Sequence, residues 1–537
     1  MMMDRKNLFT KRNVIIGAAA LAVVLGSIAT LVIWRNQPRG IVVAVSNLPD
    51  SLNPVLEQNV SGMNAAELVF DGLVNFEVDA ESGSLYPELA LAESIEQDPK
   101  DKKTYTVLIR QAFWHDGNPV VADDVKYSFD AYMDETNASP KRAYLASFIR
   151  EVRVVNSSTV EIEFVNPIPE FRAYPVLTFK IIPSTYRGRA MSPNMRSGEN
   201  EREFAVNPVG TGPYRLSNWE IGKWVGFEVN GAYFKGVPKA TGIVIKKMID
   251  PVIRMNELRK GRVNLVLETS PMDRSKVAKM SEVDINSYLP YAFYQVAVNL
   301  KAFPSVDARK ALAMSLDRPS LVPSITDQEV GVVLNPGPFP ADLFTRNIPE
   351  YVNEQIPNHL PHDPDEARRL SKSGGLAGQT AILLYPDSMG EFGSRMAEGI
   401  VRQMASIGLE VEAKRTGDQV FKRMVFDEKS YELALVYCDG FDNLYSDMGR
   451  WYRSDGDLNV TGVSDRELDS LFDRWDSEVV TAKWVDLTLA LNERISAIAP
   501  AMYLCSLEKD VYTRGLGNVA IATDNPFLSV ENWTLRN

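Results

Sequence analysis

The run VIIGAAALAVVLGSIATLVIW, Val14 to Trp34, carries no charge. At ~1.5 Å per helical residue it is about 30 Å long, the thickness of a bilayer's hydrocarbon core. Arg5, Lys6, Lys11 and Arg12 precede it, and Arg35 and Arg39 follow. That excess of positive charge places the N-terminus in the cytoplasm and exports everything after about Gly40. The apolar region of a cleaved signal peptide is shorter, roughly 7–15 residues, so the run reads as an uncleaved transmembrane signal anchor. Ala20-Leu21-Ala22 and Ser27-Ile28-Ala29 are still acceptable small-x-small cleavage patterns, which would release the chain. The first cysteine is Cys438, so no thiol near the run can carry a lipid. Cys438 and Cys505 are either one disulfide of an oxidising compartment or two buried thiols.

The exported part of a 537-residue chain is too long for one simple core, and two or three lobes are expected. Hydrophobic residues make up 45% and charged residues 24%, an ordinary globular balance that argues against disorder. A net charge of -12 offers no attraction to phosphate backbones, so nucleic acid is not an expected partner.

Strand and helix patterns alternate along the exported chain, which predicts an α/β or mixed α+β fold. IVVAV at 41–45 is a short apolar strand leading into the turn residues of NLPDSLNP, and Ala65, Leu68 and Val69 then mark a helix. TYTVLI at 104–109 alternates as a strand, Asp116-Gly117 makes a turn, and Val125, Phe129 and Tyr132 line one face of a helix capped by Asp123. VRVVNSSTVEIEFV and NPVGTGPYRLSNWEIGKWVGFEVN each predict a hairpin. HDPDEARRL places Asp363 as an N-cap and Pro364 at the first helical position, and SDRELDSLFDRW sets Ser464 and Glu467 at capping-box spacing.

Tests for chemistry fail by counting. His115, His359 and His362 are the only histidines, with no HExxH and no CxxC, so no metal or other cofactor is expected. There is no GxSxG elbow, and SLEK at 506–509 matches SxxK without its companion elements. GTG at 210–212 is not followed by the helix that a dinucleotide fingerprint requires. An enzyme is not expected. The segment YELALVYCDGFDNLYSDMGRWY, 431–452, stands out instead: an apolar strand runs into Asp439, Asp442 and Asp447 among Phe441, Tyr445, Trp451 and Tyr452. Carboxylates and aromatics at a strand end suit a pocket for a cationic head and an apolar body, although an acidic surface loop has the same composition.

Several of these pieces resemble one family. Trp114-His115-Asp116-Gly117, Pro119-Val120, Ala122, Asp124-Val125 and Tyr127-Ser128 are similar to the signature of the family 5 extracellular solute-binding proteins, the dipeptide and oligopeptide receptors of ABC importers. SLNP, FDGL, PELA, NPVGTGPY, YFKGVP, VDARKALAMSLDR, DPDEARRL and RMAEGIVRQMASIGLEV follow in the family's order. The resemblance covers most of the exported chain.

The resemblance implies a bilobed periplasmic-binding-protein fold with an additional small subdomain, preceded by the transmembrane helix. By analogy, residues 1–13 are cytoplasmic and 14–34 the anchor. Residues 35–82, 205–285 and 500–537 form the first lobe, 83–204 the small subdomain and 286–499 the second lobe. His115 then falls at a corner away from the cleft, and the signature labels the fold rather than a site. Family peptide receptors hold the peptide α-ammonium with the aspartate of a W-x-x-D segment. Val436-Tyr437-Cys438-Asp439 falls at that place, with the aspartate retained and the tryptophan missing. The resulting candidate ligand-binding set is Asp439, Asp442, Tyr437 and Phe441, with Ser61 and Met63 from the first lobe. The implied function is a monomeric receptor that binds short peptides and delivers them to ABC permease and ATPase subunits. It is extracytoplasmic, held at the cytoplasmic membrane by its N-terminal helix, or secreted if that helix is cleaved. A receptor of the same fold for a nickel chelate, haem, opine or oligosaccharide, a tethered sensor, and an exported hydrolase are the alternatives.

Overall fold

The computed structural model describes residues 40–79, 85–270, 273–324, 331–339, 356–438 and 447–536. The expected anchor, Val14–Trp34, lies outside the described residues. Among those described, no helix is long and apolar enough to cross a membrane.

Two large sheets organise the chain. The first runs in the order Tyr214–Glu220, Trp224–Val229, Gly242–Lys247, Ile41–Val45, Leu265–Val266, Lys509–Thr513, Asp284–Tyr288. Ile41–Val45 sits at its centre, parallel to both neighbours, with Ile41 opposite Ile243 and Val43 opposite Leu265. An uninterrupted apolar strand belongs there, because both faces of a parallel strand are covered. The second sheet runs Val332–Leu334, Ala501–Leu507, Phe293–Val298, Leu433–Cys438, Thr380–Pro386, Glu410–Thr416. AMYLCSL at 501–507 is buried at every position, again the signature of a strand packed on both faces. A smaller antiparallel sheet, Ala92–Gln97, Thr104–Ile109, Thr159–Phe164, Ile149–Asn156, carries the helix Ala122–Met133 and falls within the stretch expected as the small subdomain.

Ile41, Tyr105 and Trp533 belong to one continuous apolar core, so the first lobe and the small subdomain form one body. The second lobe has its own core on the two faces of its sheet, built around Leu383 and Met396 on one side and Phe472 and Trp475 on the other. The chain passes between the two large sheets at 289–292, between Tyr288 and Phe293, and again at Glu508, between Leu507 and Lys509. Strand Ala501–Leu507, expected in the first lobe, hydrogen-bonds within the second sheet, which moves the last crossing from 500 to Glu508. Its apolar run continues past the point where a boundary was expected.

Two helix starts also differ from expectation. The N-cap of Ala122–Met133 is Val121 rather than Asp123, and the Asp124 carboxylate accepts the Val121 N–H at 3.0 Å. The helix Arg466–Ser477 is capped by Asp465 rather than Ser464, with Asp465 Oδ1 accepting the Leu468 N–H at 2.8 Å. At the first start Asp124 reaches back to the N-cap N–H, and at the second Asp465 takes the first-turn N–H. Asp363 caps Pro364–Gly374 as its spacing predicts.

Candidate functional site

The signature corner is tied down completely. Trp114 is buried and donates its indole N–H to Asp124 at 3.2 Å. Asp124 also accepts from the backbone and hydroxyl of Ser184, at 2.8 and 2.7 Å. His115 bonds Gly210 and Gly212 of the NPVGTGPY loop. These are packing contacts within one body, and none of Trp114, His115 and Asp124 lines the cleft between the lobes.

Between the two large sheets lies a cleft made of two adjoining chambers that share Thr269, Tyr294 and Tyr437. The chamber beside the crossings measures about 360 Å³ and is walled by ends of first-sheet strands, including Val45, Glu268 and Lys509, facing Tyr294 and Tyr437 of the second lobe. The other, about 890 Å³, lies against the second lobe and is lined by Phe392, Phe421 and Phe426. Both fall within the ~300–1,000 Å³ range of small-ligand sites.

Polar groups in the smaller chamber are held by one another. Lys509 pairs with Asp524 at 2.9 Å, and Tyr288 donates its hydroxyl to the same carboxylate. Asn64 donates to the Asp524 carbonyl at 3.0 Å. Arg274 bridges Glu508 and Asp510, at 3.2 and 2.9 Å, and Ser287 donates to Asp510 at 2.7 Å. Burial pushes the Asp510 carboxyl above its ordinary value in spite of Arg274. Glu268 has φ of +59° and accepts the Ser46 N–H at 3.2 Å. A non-glycine residue in the left-handed region at a cleft wall is backbone strain of the kind that collects at ligand sites.

Aromatic rings connect the chambers. Phe392 and Tyr294 lie 5.0 Å apart between centroids, and Tyr294 and Tyr437 lie 4.8 Å apart. Lys509 from the first lobe sits 5.2 Å over the Tyr437 ring, a cation–π contact across the cleft.

Of the residues expected to bind ligand, Tyr437 lines both chambers and Ser61 lines the smaller one. Met63, on the same helix as Ser61, is 36% exposed and lines neither. Asp439, Phe441 and Asp442 lie outside the described residues, as does Tyr445. Trp451 and Tyr452, read from sequence as pocket aromatics, are buried in the second-lobe core, where Tyr452 donates to Gln295 at 3.2 Å. They lie on the helix Asp447–Tyr452, whose inward face the core takes up. His362 bonds the Met314 carbonyl, and no cluster of metal-ligating side chains occurs among the described residues. Cys438 and Cys505 are both buried and not joined in a disulfide, and burial raises the Cys505 thiol to about 12. Sequence reading missed Tyr294, Phe392, Lys509, Asp524 and Glu268. Only the cleft itself unites them, since they come from five separate segments.

The description "Bacterial extracellular solute-binding proteins, family 5 Middle" matches residues 86–458. Protein XP55 of Streptomyces lividans is 27% identical over 444 residues, covering 81% of this chain and 77% of its own. The dipeptide-binding protein of Escherichia coli is 24% identical over 412 residues, covering 72% and 74%. The crystal structure of the ABC transporter substrate-binding protein CtaP from Listeria monocytogenes superposes with a TM-score of 0.79 at 22% identity, covering 93% of this chain and 100% of that one. With a match of that extent and the bilobed cleft, the chain belongs to the family 5 bacterial extracellular solute-binding proteins, a class of ABC-importer receptors rather than of enzymes.

Proposed function

We propose that this protein binds short peptides in the interlobe cleft and hands them to an ABC permease, tethered to the outer face of the cytoplasmic membrane by Val14–Trp34. The observation that carries the reading is the cleft: strand ends from two lobes, two crossings that can act as a hinge, and a paired set of charges among aromatic surfaces. The likeness to a protein named for dipeptide binding supports peptides over other solutes. The tether rests on the length and flanking charges of the apolar run.

Asp439 follows directly on the strand Leu433–Cys438, whose Tyr437 lines the cleft, and is the proposed partner of the peptide ammonium. A charge-assisted bond of this kind contributes ~1.5–3 kcal/mol. Asp439→Asn is therefore expected to weaken peptide binding at least about tenfold in calorimetric titration, with the melting temperature unchanged. Equal affinity of the two proteins would remove Asp439 from the site.

The function is tested by native mass spectrometry of the full chain, extracted in detergent from its host without refolding, with fragmentation of whatever copurifies. A heterogeneous set of short peptides is expected. A single nickel chelate, haem, opine or oligosaccharide species would replace the peptide reading. The tether is checked in the same preparation by sequencing the mature N-terminus.

A further inference from the structure

The second-lobe wall of the larger chamber contains an irregular helix. Asp418–Lys422 is α-helical, and Arg423–Asp427 continues it as a π-helix in which the Glu428 N–H bonds the Arg423 carbonyl at 2.8 Å. In a regular α-helix, positions five apart point about 140° away from each other. Phe421 and Phe426 are five apart, yet both line the chamber. The wider π turn closes much of that angle, and π turns occur mostly as single insertions at functional sites. Phe421 and Val425 share the lobe's core, Phe421 showing only an edge to the chamber, so the half-buried Phe426 is the ring that the π turn brings to the chamber wall.

The charges around the chamber are largely committed to neighbours. Asp273 pairs with Lys276 at 3.0 Å, Glu391 pairs with Arg395, and Asp418 accepts the Ser388 N–H at 3.0 Å. Alongside these committed charges the chamber wall presents rings from two places, Phe421 and Phe426 on the helix–π segment and the neighbouring series Phe392, Tyr294, Tyr437.

We infer that the helix–π segment 418–427 is a side-chain selector: with Phe392 and Tyr294 it forms a pocket for an aromatic or bulky aliphatic side chain of the ligand, biasing the receptor toward hydrophobic peptides. The inference rests on the peptide reading above and adds a specificity to it. A receptor indifferent to sequence would keep its side-chain pockets roomy and hydrated, whereas burying a ring against rings favours one class of residue.

The test titrates the full chain in detergent with Ala-Ala-Ala and with the three tripeptides carrying one Phe among alanines. One Phe position is expected to bind at least about tenfold tighter than Ala-Ala-Ala. Phe426→Ala should weaken the favoured Phe tripeptide at least about fivefold more than it weakens Ala-Ala-Ala. Phe426→Leu, which keeps the apolar contact of a half-buried position, is the companion variant should Phe426→Ala melt early, and it should retain part of the gain. Tripeptides that all bind with equal affinity, or a Phe426 variant that weakens all of them alike, would overturn the selector and leave the peptide reading standing. A folded wild-type chain that binds none of them would overturn the peptide reading, and the selector with it.

Discussion

His115 Nδ1 accepts the Gly210 N–H at 3.2 Å, so Nε2 carries the proton and donates it to the Gly212 carbonyl at 3.0 Å. The Gly210 contact needs the neutral ring, whereas the Gly212 contact is made by either form. A proton on Nδ1 would face the Gly210 N–H, and burial lowers the histidine pKa below its ordinary value in spite of the Gly212 carbonyl. The unfolded chain, with a pKa of about 6.5, then takes up the proton first. The contribution to stability is complete above about 6.5 and is lost as the pH falls toward the folded value. Urea midpoints of the wild type are expected to drop between about pH 7 and 5 more steeply than those of His115→Asn, whose amide oxygen can still accept from Gly210. Parallel profiles would mean that the corner does not sense pH. The glycines opposite the ring have a packing reason of their own: a Cβ on Gly210 would stand 1.8 Å from the Val69 carbonyl oxygen. The GTG sequence is the close approach of a loop to a helix end, which explains why no nucleotide-binding helix follows it.

At the level of elements, the strands were legible because alternation or unbroken apolarity leaves little choice of face, as IVVAV at 41–45 and TYTVLI at 104–109 show. Helix starts were harder, since adjacent polar residues compete for the same first-turn N–H. At 464–467 the capping-box spacing favoured Ser464, but Asp465 takes the Leu468 N–H and also binds Arg494 at 2.6 Å. Arg494 holds the Asp465 carboxyl below its usual range, so this contribution is present above about pH 4 and fades on acidification. Asp465→Ala is expected to lower stability by about 1–2 kcal/mol in urea unfolding at neutral pH, whereas Ser464→Ala stays within about 0.5 kcal/mol. Reversed magnitudes would restore the serine as the cap. The cleft was less legible than either. Tyr437 was reached through the resemblance, as the aromatic beside the aspartate of the W-x-x-D place, but Lys509 and Asp524 meet Tyr288 and Asn64 only through the first-lobe fold. The π turn at 423–427 has no periodicity signal at all, because its residues read as ordinary helix.

At the scale of the molecule, the two bodies meet at a second place far from the crossings in sequence. Arg172, on the small-subdomain helix Glu170–Val176, is 1% exposed and reaches into the second lobe. It donates to the carbonyls of Trp475 and Asp476, at 3.0 and 2.8 Å, and lies 5.3 Å over the Trp475 ring. Phe171 beside it meets Trp484 edge-on at 6.0 Å. Asp476 keeps a partner from its own lobe, Arg453 at 2.6 Å, so parting the bodies strands the arginine more than the aspartate. The seam joins separate cores, and an opening of the cleft about 289–292 and Glu508 that parts the small subdomain from the second lobe would break it. Removing a buried, hydrogen-bonded charge from one side typically costs ~3–5 kcal/mol while the contact stays closed. Here the two bodies can separate instead of unfolding, so the loss falls on the closed state. Apparent affinity scales with the closed fraction. Arg172→Met, which keeps much of the side-chain length, is accordingly expected to weaken ligand binding about tenfold or more and to enlarge the ligand-free radius of gyration in solution scattering. Asp439→Asn should weaken binding without that change in shape, which separates an effect on closure from an effect on contact. Unchanged affinity and unchanged scattering in Arg172→Met would show that the seam does not move when the cleft opens.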